Sequence, residues 1–403
     1  MILTANRRFT FCASRRLARD DWTRAECERV YGAGREGAWG TGENYQVHLV
    51  FGGEVDPTTG FLVNLAEVKG AFRTLVDERY DHRFLNLDTP PFDQVPPTPE
   101  NLAATLLREA QGACRGLSAH VVACHLLESA DSGATAYASG GVEREVAIEF
   151  SAARRTYSPH LSDEENRALF GRASSPGGHG HGYRLRVVLG GELDPSTGAI
   201  ARFAEVAAAL QGIHEKLDHR NLNREVPELA GAPVTTECLA RLAYCAVRVD
   251  LPVARVRLHE TPHLFAEYDG VRPALGVERT FSAAHCLRRS HLSEEENVRL
   301  FGRCANPNGH GHRYTAQATV GGPMDERSGT VIALPTVEAA LAAVLDPWDG
   351  KHLDREVAEF SALPSTGENI VGVLWPRLDD RLGGRMVRLR LTETENNRFT
   401  ARR

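Results

Sequence analysis

Lysine is nearly missing from this chain, since of 47 basic residues only Lys69, Lys216 and Lys351 are lysines. The net charge is −6. No basic excess is available to track a nucleic-acid backbone or an anionic membrane, so any phosphate binding has to be local. None of the eight cysteines forms a CxxC pair, which removes the usual sequence signature of a zinc ribbon or a redox dithiol. There is no apolar run of about 18 residues, the length a membrane helix needs, and no apolar h-region near the N-terminus. The expectation is a cytoplasmic protein with reduced thiols, no membrane attachment and no nucleic-acid partner. What remains is an ordinary globular composition, 42% hydrophobic and 25% charged over 403 residues, enough for two to four domains.

The chain is built from three copies of one unit. The copies open with FCASR at Phe11, FSAAR at Phe150 and FSAAH at Phe281. Each continues into a Gly-rich segment ending in a tyrosine: TGENY at Tyr45, HGHGY at Tyr183 and HGHRY at Tyr314. An alternating apolar strand follows, with a turn written GGEVDPTTG, GGELDPSTG or GGPMDERSG. A helix-period stretch then runs to YDHRFLNLD, LDHRNLNRE or WDGKHLDRE, and a second helical stretch precedes a strand reaching Glu128, Glu260 or Glu393. The reading is strand, long turn, strand, helix, helix, strand, with repeats at 1–140, 141–270 and 271–403. A unit of this kind is α+β, its helices covering one face of an antiparallel sheet. Three units closing into a pseudo-trimeric β-barrel would leave no exposed sheet edge.

The third copy carries the most chemistry. In a strand, His310 and His312 of HGH project to one face, and His285 of FSAAH is the natural third imidazole from a neighbouring strand. Three neutral imidazoles leave one position of tetrahedral zinc open, as catalytic sites do; solvent-facing histidines are the plainer alternative. Cys304 lies six residues before His310, and a thiol beside a metal and cations is a candidate base or nucleophile, or else one small buried residue. Asp81-His82 and Asp218-His219 each offer a carboxylate next to an imidazole, which suits acid/base work but also suits a histidine at a helix C-terminus. Glu260 and Glu393 could hold an aminopyrimidine edge through two carboxylate oxygens. Thr236-Glu237 and Thr366-Gly367-Glu368 read as helix N-terminus signals.

FSAAHCL, LSEEENVRLFGRCANPNGHGHRY and the closing RLTET resemble the 6-pyruvoyltetrahydropterin synthase and 6-carboxytetrahydropterin synthase family, which has the tunnelling fold (T-fold). The resemblance covers essentially the whole chain, but the metal motif is complete only in repeat 3. It implies His285, His310 and His312 as zinc ligands, Cys304 as the catalytic thiol and Glu393 as a pterin anchor. The family's Asp-His pair falls on Asp349-Gly350 in repeat 3, where the histidine is missing and His352 stands two places on. Repeat 2 has Arg154 and Ala173 in place of the first ligand and the cysteine, yet keeps His179, His181, Asp218, His219 and Glu260. Repeat 1 has Arg15, Thr41 and Glu43 at the ligand positions and keeps Asp81, His82 and Glu128.

These losses are complementary. Family subunits form rings with sites between subunits, so the expectation is one complete site per chain, with zinc and Cys304 from repeat 3 and an Asp-His pair from another repeat. Asp218-His219 is favoured slightly over Asp81-His82, because repeat 2 has kept more of its motif. The implied reaction is triphosphate elimination from 7,8-dihydroneopterin triphosphate to 6-pyruvoyltetrahydropterin, as in tetrahydrobiopterin biosynthesis. Side-chain cleavage to 6-carboxytetrahydropterin for deazaguanine (queuosine) biosynthesis and a non-catalytic pterin- or zinc-binding protein are the alternatives. Arg172, Arg303 and Arg313 lie near the motif as surface arginines or phosphate contacts, and a homodimer of two pseudo-trimers stays open.

Overall fold

The protein is seen here as a computed structural model, which describes every residue except 20, 36, 38 and 290. Twelve antiparallel strands close into one barrel, four from each repeat. Repeat 1 supplies Ile2–Arg15, Thr41–Gly52, His120–Leu127 and Ser132–Tyr137; repeat 2 supplies Val142–Arg154, His179–Gly191, Val253–Thr261 and Leu264–Tyr268. Repeat 3 supplies Pro273–His285, His310–Gly321, Met386–Thr394 and Asn397–Arg402. The last strand of each repeat pairs with the first strand of the next, and Asn397–Arg402 pairs back onto Ile2–Arg15. The seams thus consume the edges each unit would otherwise expose.

Six long helices, two per repeat, pack on the outer face: Leu65–Arg79, Pro99–Ala113, Phe203–Leu217, Thr236–Val247, Leu334–Leu345 and Gly367–Arg381. Strand alternation then sorts the side chains. Leu389 and Leu391 are buried in the helix-side core, while Arg388 and Arg390 between them face the inside of the ring. One continuous apolar core joins repeats 1 and 3, and repeat 2 has its own. Among the described residues no helix is long and apolar enough to cross a membrane.

Two features of the unit differ from the sequence reading. Each repeat has a fourth strand after the Glu128, Glu260 or Glu393 strand, only five or six residues long and weakly patterned. The "long turn" also contains a short helix, Arg24–Tyr31, Asp163–Phe170 or Glu294–Phe301, each opened by a capping box in which Thr23, Ser162 or Ser293 pairs with a glutamate three residues on.

The three repeats meet through one contact used three times. Thr98, Thr235 and Thr366 cap their helices, and their hydroxyls also donate to the carbonyls of Gly198, Gly329 and Gly60 in the next repeat, at 2.6, 2.5 and 2.8 Å. The buried Glu100, Glu237 and Glu368 accept backbone N–H groups of Ile200, Val331 and Leu62 from the same loops. Glycine is required there: Gly60 has φ +74°, and a Cβ on it would meet Asn369 at 2.5 Å and Pro364 at 2.7 Å. The ring therefore has a direction, in which the helix cap of repeat 3 is covered by the loop of repeat 1.

Candidate active site

His285 is the last residue of its strand and pairs across the sheet with His310, and His312 pairs with Ala283 two places back. Alternation brings all three imidazoles to one face. The Nε2 atoms of His285 and His310 are 3.1 Å apart, and one ligand nitrogen from each of the three histidines lies within 4.8 Å of the others. His285 is buried and directs Nδ1 at the Ser365 carbonyl, 3.1 Å away. A proton on Nδ1 satisfies that carbonyl and leaves the Nε2 lone pair aimed at the neighbouring imidazoles, as a backbone carbonyl does for a metal-binding histidine. Burial, and then the neighbouring imidazoles, push the His310 pKa down, so proton binding competes weakly with a metal. The donor set fits zinc, which these three residues would hold with a position to spare.

Glu393 completes the pocket floor. Its Oε1 stands 4.0 Å from Nε2 of both His285 and His312, and Asn397 donates to its Oε2 at 3.0 Å. No guanidinium is bonded to it among the described residues. The corresponding carboxylates of the other repeats are occupied. In repeat 2, Arg154 takes the register position of His285, opposite His179, and bonds Glu260 together with Thr236. His181 takes the other oxygen of Glu260 at 2.9 Å. In repeat 1, Arg15 pairs with Thr41 across the sheet and bonds Glu128, which Arg144 also reaches at 3.4 Å. Burial works against ionisation of Glu128 and Glu260, yet these partners hold both at about 2. Glu260, expected as a substrate contact, has no oxygen free for one.

Cys304 is partly buried in a small apolar cluster with Leu287, Phe301 and Ala305, and Phe61 from repeat 1 packs on that cluster. The rings of Phe61 and Phe301 meet edge-on at 5.5 Å. Burial, then the charge of Glu393, push the thiol pKa up. Among the described residues no arginine or lysine side chain offsets that shift, and Arg172, Arg303 and Arg313 are all exposed.

The Asp-His pairs sit on strand edges. Asp81 accepts the Cys12 N–H at 2.9 Å, and the His82 N–H donates to the Cys12 carbonyl at 2.7 Å. Ile2–Arg15 is paired along its other edge with Thr41–Gly52, so this edge is the one shared with Asn397–Arg402 of repeat 3. Asp218-His219 is anchored to Ser151 in the same way, on the edge that repeat 2 shares with repeat 1. Asp349 is anchored to Ser282, on the edge facing repeat 2. Asp81-His82 thus stands on the seam that repeat 1 shares with repeat 3, and Asp218-His219 on the seam between repeats 1 and 2, an order set by ring direction that motif retention does not encode.

Adjacent residues can bond here because His82 and His219 adopt φ of 57° and 55°. Each imidazole then folds back on its own aspartate, Nδ1 to carboxylate, at 3.0 Å for Asp81-His82 and 2.7 Å for Asp218-His219. Gly350 has φ 73°, the same left-handed backbone, so the lost histidine leaves the turn intact and His352 does not take its place. His352 instead packs on Gly309, with both ring nitrogens buried and without a hydrogen bond, Nδ1 lying 4.0 Å from the Asp354 carboxylate. Residues that sequence reasoning missed are Ser365, Asn397 and Phe61; only the last could have been flagged, as an aromatic in the turn beside Gly60.

Residues 4–139, 143–271 and 274–403 each match the family of 6-pyruvoyl tetrahydropterin synthase. The 6-pyruvoyl tetrahydrobiopterin synthases of Pongo abelii and Homo sapiens are 42% and 41% identical over 120 residues, which is 29% of this chain and 83% of each relative. The solved 6-pyruvoyl tetrahydropterin synthase of Caenorhabditis elegans is 33% identical and spans 33% of this chain and 96% of its own, with a TM-score of 0.32.

Proposed function

Since the chain belongs to the 6-pyruvoyl tetrahydropterin synthase family, matched three times over nearly its full length, we propose that it is a pterin synthase lyase with one working centre per chain, shared between repeats 3 and 1. The substrate is 7,8-dihydroneopterin triphosphate, and elimination of triphosphate gives 6-pyruvoyltetrahydropterin. The observation that carries this reading is the contrast among three equivalent pockets: in repeat 3 the strand-end glutamate faces three convergent imidazoles, and in the other two an arginine fills that place.

In this reading Glu393 receives the N–H edge of the pterin ring, with Asn397 fixing one of its oxygens. The backbone of residues 60–62, held to Thr366 and Glu368, forms the far wall of the pocket. His285, His310 and His312 would hold zinc, which would supply Lewis-acid polarisation there. Cys304, packed with Phe301 and Phe61, exchanges a proton with the reacting side-chain carbon. Asp81 orients His82, and the exposed imidazole passes that proton onward.

Repeat 2 fails as a centre on its own terms. It lacks the cysteine and the first imidazole, and the pair that would face it is Asp349-Gly350. Loss of the histidine at Gly350 therefore costs the chain nothing. The test is to incubate the zinc-loaded protein with 7,8-dihydroneopterin triphosphate and identify products by mass spectrometry. A 6-pyruvoyl product with triphosphate release is expected; a 6-carboxy product or no turnover overturns the assignment.

A further inference from the structure

The inside of the barrel is crowded with arginine, and its charges do not balance. Arg186, Arg255 and Arg257 of repeat 2 bond Glu145, Glu143 and Glu267. Arg388 of repeat 3 reaches across the seam to the same Glu267 at 2.8 Å, so one carboxylate serves two guanidiniums. Arg390 and Arg398 make no side-chain hydrogen bond or ion pair among the described residues; the carboxylates of Glu395 and Glu278 act on Arg398 from farther off, while only arginines act on Arg390.

The reason Arg390 stands alone can be read from register. In repeat 2, Arg257 pairs across the sheet with Glu267. The equivalent pair in repeat 3 is Arg390 with Thr400. The carboxylate that neutralises the site in one repeat is a hydroxyl in the other. Burial, followed by the charges of Arg257, Arg388, Arg398 and Arg402, pushes the Arg390 guanidinium well below its ordinary range. The same field acts on the histidines of the lumen. Burial first, and neighbouring arginines after it, hold His48, His125 and His259 down at about 2, 3 and 4, so none of them adds charge at neutral pH.

An enclosed excess of guanidinium is costly when it is left bare, and it is relieved by an anion that accepts several N–H groups at once. A barrel of twelve strands has more room inside than the eight-stranded ones that side chains fill. We propose that the barrel lumen is a binding site for a polyvalent inorganic anion of the phosphate class, centred on Arg390 and flanked by Arg398, Arg388 and Arg257. The site is separate from the pocket of His285, His310 and His312, which lies on the opposite, helix-side face of the same sheet. It does not depend on the chain's being a pterin synthase.

The experiment uses the zinc-loaded full chain with pyrophosphate as probe, by titration calorimetry and thermal unfolding at low ionic strength. Saturable binding and a rise in Tm are expected, with affinity falling steeply as salt is added. Arg390→Gln should weaken pyrophosphate by about tenfold or more, the scale of losing a charged hydrogen-bond donor. Thr400→Glu recreates in repeat 3 the pairing of Arg257 with Glu267; it should raise the Tm of the free protein and abolish the pyrophosphate-dependent increase, with kcat unchanged. No binding by the parent chain, or binding that both variants retain in full, overturns the proposal.

Discussion

Arg154 bonds Glu260 inside repeat 2, at the register position where His285 faces Glu393 in repeat 3. A guanidinium brings its own fixed charge and its own donors to a carboxylate. The arginine thus takes one oxygen of Glu260 together with Thr236, and His181 takes the other. Arg15 and Glu128 repeat the arrangement in repeat 1. The consequences below follow from that difference and from the direction of the ring.

Metal content should be one zinc per chain by elemental analysis. His310→Ala should reduce it to near zero, because two imidazoles cannot complete the set. His179→Ala should leave it at one, and a value near two in the parent chain would reassign repeat 2 as a second metal centre.

His82→Ala should lower kcat by about 10²–10⁴-fold, the usual range for a general acid or base. His219→Ala should stay within about twofold of the parent. Steady-state kinetics on the two variants side by side decides the matter, and the reverse order would mean that the Ser151 edge, not the Cys12 edge, faces the reacting atoms.

Cys304→Ala should remove turnover while zinc content stays at one per chain. A variant that is fully active and fully loaded would take the thiol out of the chemistry.

Arg154→Ala should lower unfolding stability by about 3–5 kcal/mol, since it leaves a buried carboxylate without its cation. Denaturant unfolding measures it. Activity per folded molecule should be unchanged, because repeat 2 contributes no reacting group.

The seams that repeat 3 makes with repeat 1, through Glu368, and with repeat 2, through Glu237, should weaken as pH rises. Burial pushes Glu368 up to about 8 and Glu237 up to about 7. In an unfolded chain a glutamate titrates near its ordinary value of about 4.3. Between those limits the folded protein keeps protons that the unfolded one has released, so stability falls as pH rises from about 4.5 to about 8. Glu368→Gln, which keeps an acceptor for the Leu62 N–H, should flatten the fall in Tm across that window; a slope equal to the parent's would show that Glu368 is not the titrating group.

How much of this was legible beforehand depends on the range of the interaction. The threonine-glutamate helix starts, the HGH pair and the repeated Gly-Gly turns are local, so the character of the long strands and long helices followed from neighbouring residues alone, whereas the short helices opened by capping boxes were passed over inside the long turn. The fourth strand of each repeat was not legible: NRFTAR or SGATAY becomes a strand because two longer strands flank it, and its own six residues hardly distinguish strand from turn. Likewise, nothing near Cys304 in the sequence announces Glu393 as the neighbour that raises its pKa.

The sequence by itself determined that there are three units, that the three-histidine set is whole only in the third, and which side chains each of the others has lost. It could do so because residue identity at matched positions of a repeat is read without coordinates. Only the tertiary structure decided what those losses do. Arg15 and Arg154 fill their pockets instead of merely vacating them. Repeat 1 faces the His285 centre, because Asn397–Arg402 pairs with Ile2–Arg15 and the loop at Gly60 caps Thr366. Seam direction and long-range ion pairing arise from strands hundreds of residues apart, and no local pattern encodes them.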